Sequence, residues 1–122
     1  MARKRRDRGG GAGPPPLKAP PSDYTDPSGN VLTLRGSLTP ATRREYAATL
    51  SGNPLSQEDA WHRALEFLFE RLAVRWVVAG APIERQRELL LRFRAASHEE
   101  RDWVRSVIRE HCAEHFPDVQ AP

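Results

Sequence analysis

The stretch Ser56-Gln57-Glu58-Asp59-Ala60-Trp61-His62-Arg63-Ala64-Leu65-Glu66-Phe67-Leu68-Phe69-Glu70-Arg71-Leu72-Ala73-Val74-Arg75-Trp76-Val77-Val78-Ala79 carries the densest apolar pattern of the chain. Wound at 100° per residue, Asp59, Arg63, Glu66 and Glu70 form one narrow polar stripe, and Trp61, Leu65, Leu68, Leu72 and Trp76 lie opposite. Ala60, Ala64, Phe67, Phe69, Val74 and Val78 flank them, so most of the circumference is apolar. That pattern predicts a central helix, about 57–79, covered by several neighbours. Ser56 caps it, and Gly80-Ala81-Pro82 ends it.

The same punctuation continues outward. Thr39 with Pro40 opens an earlier helix that Gly52 stops after Leu50. A third helix is expected from about Pro82 to Ala95 or Ala96, with Ile83, Gln86, Leu90 and Phe93 as its seam. Ser97 and Glu100 have the spacing of a capping box, opening a fourth helix that Phe116-Pro117 closes. Before all of these, Asp26-Pro27-Ser28-Gly29 reads as a turn between Tyr24-Thr25 and Val31-Leu32-Thr33-Leu34, a short hairpin over about 23–36. A two-stranded hairpin is marginal alone and must lie on something else. The expectation is a mainly α domain over 23–122: about four helices around the central one, with this short N-terminal β-hairpin attached.

Residues 1–22 differ in kind. They hold Arg3, Lys4, Arg5, Arg6, Arg8 and Lys18 against Asp7 alone, a net charge of +5. The remaining 100 residues carry 13 basic and 15 acidic groups, a net of −2. The sequence pI near 9.6 therefore belongs to the tail. With almost no apolar side chain except Leu17, this basic Pro/Gly-rich tail is expected to be disordered, with Pro14–Pro21 as a stiff spacer. Arg3, Lys4, Arg5, Arg6 and Arg8 are the candidate contacts to nucleic acid or another polyanion. With no aromatic residue before Tyr24, they would bind without reading sequence and with strong salt dependence. No apolar run approaches a membrane span, and Gly and Pro follow the basic start where a signal peptide needs apolar residues. A cytoplasmic protein is expected, in keeping with the single cysteine, Cys112.

Chemistry-bearing residues are sparse. His111 and His115 share one helix face and are a candidate metal pair, but Cys112 projects about 100° away, and His62 and His98 are too scattered in sequence to be assigned. There is no nucleophile elbow and no phosphate-cradling loop. Arg71 and Arg75, four apart, offer an anion pocket or a partner contact near Trp76, or else simple ion pairs with acids of a neighbouring helix. Arg101, Arg105 and Arg109 step along the last helix, but His98-Glu99-Glu100 at its start would repel DNA. An Asp102–Arg105 pair on a solvated face is expected instead. Leu91 lies off its helix seam and could mark a contact with a second chain. These features predict a non-enzymatic binding or adaptor protein without cofactor. Its helical domain would dock a protein partner, of unknown identity, and its basic arm would touch a polyanion. The alternatives are a small-ligand or metal-dependent domain using Arg71/Arg75 or His111/His115, and a self-assembling structural subunit.

Overall fold

The computed structural model describes residues 19–51 and 57–122. The basic residues Arg3, Lys4, Arg5, Arg6 and Arg8, most of the Pro14–Pro21 spacer, and the Gly52 and Ser56 boundaries lie outside the described residues. Eight elements follow one another: β1 (Ser22–Thr25), β2 (Val31–Leu34), α1 (Pro40–Ser51), α2 (Gln57–Leu72), β3 (Ala73–Val78), β4 (Ala81–Ile83), α3 (Gln86–Arg94) and α4 (His98–His115). The strands form one antiparallel sheet in the order β1-β2-β3-β4.

This corrects the mainly α expectation: the fold is mixed, four helices with a four-stranded sheet. The long helix over 57–79 stops at Leu72, and the chain continues as β3. Val74, Val77 and Val78 are β-branched and favour the pleated surface over a helix interior. The hairpin β1–β2 supplies the ladder they need, and β3 in turn is the support that hairpin lacks alone. Leu32 pairs with Trp76 and Thr33 with Arg75, but Leu34 pairs with Ala73, leaving Val74 as an extra residue at a bulge. The bulge turns Ala73 and Trp76, three apart, toward the same face, where both are buried. Spacing by three is also what a helix face shows, so this segment imitates one.

A two-residue turn then joins β3 to β4. Ala79 (φ 52°) and Gly80 (φ 80°) both have positive φ, as the favoured hairpin turn requires. The Asn30 side-chain oxygen accepts from the Ala79 N–H at 2.9 Å, tying this turn to the first hairpin. The left-handed region disfavours alanine. Replacing Ala79→Gly should therefore raise stability by about 0.5–1 kcal/mol in urea unfolding. Were the segment helical through 79, the same change would lower it by about 1 kcal/mol.

The helices cover the sheet face that bears Leu32, Leu34 and Trp76. The opposite face presents Asp23, Thr25, Arg75 and Pro82 to solvent. Phe69 stacks on Phe93 at 4.7 Å and meets Trp76 edge-on at 5.6 Å, joining α2, α3 and β3. Leu68, Leu72, Val104, Ile108 and Phe116 complete the centre. Along α2 the buried stripe is Ala60, Ala64, Leu68, Phe69 and Leu72. Trp61, expected in the seam, is 41% exposed.

Short polar ties fix the helix ends. Thr39 Oγ1 accepts from the Thr42 N–H at the start of α1. Ser97 and Glu100 form the reciprocal capping box of α4. Arg92 donates to Glu100 at 2.7 Å and holds that carboxyl below its ordinary range. The C-terminal coil returns along α1 and α4: Arg43 pairs with Asp118, the Tyr46 hydroxyl donates to the Gln120 carbonyl, and Arg109 Nε donates to the Pro122 carbonyl. No described helix is long and apolar enough to cross a membrane.

Candidate functional site

The first turns of α2 place Glu58, Trp61, His62, Leu65 and Glu66 on one side of that helix, by the i, i+3, i+4 spacing that stacks side chains. The first two turns of α4 do the same with His98, Arg101, Asp102 and Arg105. These two stripes line a cleft of about 450 Å³, to which Phe93 of α3 and Pro122 also contribute. A volume of this size lies within the usual range for ligand sites.

Arginines build its walls. Arg94 on α3 grips Glu66 on α2 through two bonds, Nε at 3.2 Å and Nη2 at 3.0 Å, which raises the Arg94 pKa. Arg101 then donates to the Arg94 carbonyl at 2.6 Å and lies over the Phe93 ring. The buried Arg101 Nε–H has no acceptor among the described residues. One turn on, the Arg105 guanidinium sits 5.6 Å from the centre of the Trp61 ring. The expected Asp102–Arg105 pair does not form: Asp102 meets His98 at 3.4 Å, and Arg105 has no acid partner among the described residues. The described lining holds no hydroxyl, thiol or amine; its imidazoles and carboxylates, His62, His98, Glu58, Glu66 and Asp102, stand beside the two arginines and the apolar Trp61, Leu65 and Phe93.

The residues singled out from sequence lie elsewhere. Arg71 pairs with Glu45 of α1 at 3.1 Å and covers the Phe67 ring. Arg75 points outward from β3 and meets Glu84 at 3.3 Å. They belong to different elements and do not converge. Leu91 stands 55% exposed on α3, outside the cleft lining.

His111 is fully buried, and protein groups hold both its ring nitrogens. Nε2 lies 2.6 Å from the Arg35 carbonyl, which can only accept, so Nε2 carries the proton. Nδ1, at 2.7 Å, then accepts from the Tyr24 hydroxyl. Burial, the largest cause, pushes the His111 pKa down, and the His115 ring, tilted against it with centroids 4.5 Å apart, adds to it. A ring engaged at both nitrogens has no lone pair for a metal without losing a partner. Among the described residues no three His, Cys, Asp or Glu side chains converge as metal ligands. Cys112 is buried and its thiol is pushed up to about 11, which suppresses the reactive thiolate.

His62 and His98, 36 residues apart in sequence, both line the cleft, one on each helix, and both are exposed. Only the reversal of the chain through β3, β4 and α3 brings them there. The legible signal was the spacing His98, Arg101, Asp102, Arg105, a mixed polar face adjoining the buried Val104, Val107 and Ile108.

No protein-family model, curated protein or solved structure matches the chain.

Proposed function

We propose that this chain is a non-enzymatic binding protein of the cytoplasm, which docks a protein partner in the cleft between α2 and α4 and touches a polyanion with its basic arm. One observation carries the docking reading: the exposed Trp61 carries over its ring a guanidinium, Arg105, that no acid neutralises among the described residues, in a cleft that Leu65 and Phe93 also line. Exposed tryptophan and arginine around a desolvated apolar pocket are the residue types that dominate binding energy at protein interfaces. The arm's part rests on charge alone, Arg3, Lys4, Arg5, Arg6 and Arg8 in a segment of net +5.

A photo-crosslinking residue placed at position 61 tests this in nuclease-treated lysate of the source cell. The expected result is a discrete protein adduct that survives nuclease, absent when the residue is placed at exposed position 75 of the sheet. Adducts lost with nuclease would mean that only nucleic acid was holding the partner, and the docking reading would fall. Leu91, exposed outside the cleft, favours self-assembly as a second reading. Light scattering at two concentrations reports it as a rise in mass.

A further inference from the structure

Resting on the docking reading above, we propose that the cleft receives an acidic peptide segment of the partner, with a bulky aromatic or aliphatic anchor and a carboxylate beside it. The charges of the cleft are sorted by depth. Glu58, His62, His98 and Asp102 are exposed at the rim, where water and salt screen them. Arg101 and Arg105 are half-buried, one helical turn apart, against Phe93 and Trp61. The one half-buried carboxylate, Glu66, is already saturated by Arg94. The inner wall thus holds two cations with no anion of their own. A carboxylate arriving there meets planar donors suited to it, in surroundings where charge-assisted bonds are strong. Beside it, the exposed Trp61 ring and Leu65 offer an apolar wall for the anchor.

Charge also decides between occupants. The chain's own arm brings one acid, Asp7, among six basic residues and no aromatic residue before Tyr24, so it matches neither the two inner cations nor the anchor wall. A second copy offers Leu91 as its exposed apolar group. That residue arrives with Arg87 and Glu88, whose charges cancel, so the two cations of the cleft would stay uncompensated.

The test pans a displayed library of random dodecapeptides against the immobilised full chain. The best binder is then synthesised and titrated calorimetrically into the full chain and into Arg105→Glu and Trp61→Ala variants. Trp61 is exposed and Arg105 is half-buried without an acid partner among the described residues, so thermal melts of the variants are expected to stay within a few degrees of the parent. The expected peptides place Trp, Phe or Leu next to Asp or Glu, and each variant weakens them about tenfold or more. Changing the peptide's acid to Lys should restore binding to Arg105→Glu. Basic peptides that both variants weaken would keep the docking reading and overturn the acidic occupant; peptides that bind both variants as tightly as the parent would place docking outside the cleft and overturn both. No enrichment above background would remove both. A mass that rises with concentration and reverts in Trp61→Ala would assign the cleft to a second copy and overturn the proposal.

Discussion

Replacing Trp76→Ala should lower the stability of the domain by about 3–5 kcal/mol, measured by urea unfolding. Trp76 is 1% exposed at the centre of β3. Phe69 meets its ring edge-on, and the Arg92 guanidinium lies 5.2 Å from the ring centre. Truncation would open a cavity between the sheet and α3 and leave Arg92 without its aromatic support. A domain of this size is stable by about 5–15 kcal/mol, so the loss is a large share of the whole. Trp76→Phe should cost much less, under about 1.5 kcal/mol, because the indole N–H is buried without a partner and its removal is a gain that offsets lost area. Trp61→Ala should cost less than about 1 kcal/mol, since Trp61 is 41% exposed. Equal losses at 61 and 76 would mean that both tryptophans belong to one helix face, as the sequence pattern first suggests.

The second large effect is at His111. His111→Ala should cost about 2–4 kcal/mol, because it opens a cavity and strips the Tyr24 hydroxyl and the Arg35 carbonyl of their partner. Those two bonds fasten α4 to the edge strand β1 and to the residue that follows β2. The same site imposes a pH dependence. The folded pKa of His111 lies below the ordinary value of 6.5, so below that pH the unfolded chain takes up a proton that the folded chain resists. The contribution is fully present above about 6.5 and is lost as pH falls toward the folded value. Thermal melts at descending pH should show the midpoint dropping through this window. His111→Gln, which supplies one donor and one acceptor but does not titrate, should flatten that drop while retaining more stability than alanine. A slope unchanged by His111→Gln would assign the acid sensitivity to other groups.

Much of this architecture can be read from single residues. The Ser97/Glu100 box, the Thr39 cap and the Asp26–Gly29 turn are local chemistry and form as their residue types dictate. What escaped local reading was decided by tertiary pairing. Ala73–Val78 becomes a strand because β2 is there to receive it, and its bulge hides the alternation that would have betrayed it. That one misassignment had a second consequence. With Trp76 included in the helix, the apolar axis of α2 rotates toward Trp61 and Leu65. With the helix ended at Leu72, the axis runs through Ala60, Ala64 and Leu68, and Trp61 turns outward to the cleft. The Arg71 and Arg75 pair dissolves for the same reason, since four-residue spacing brings side chains together only on a continuous helix. The cleft itself was not legible, because its two walls meet only after the chain has passed through the sheet.

As proposed, the cleft between α2 and α4 is the docking surface. Uniformly ¹⁵N-labelled full-length chain, titrated with the selected acidic peptide and followed by amide and indole NMR signals, tests it most directly. The expected result is movement of the Trp61 indole and of amides along the first turns of α2 and α4, with the Trp76 indole unmoved. Shifts concentrated at Thr33, Arg75 and Val77 on the open sheet face, with Trp61 silent, would contradict it.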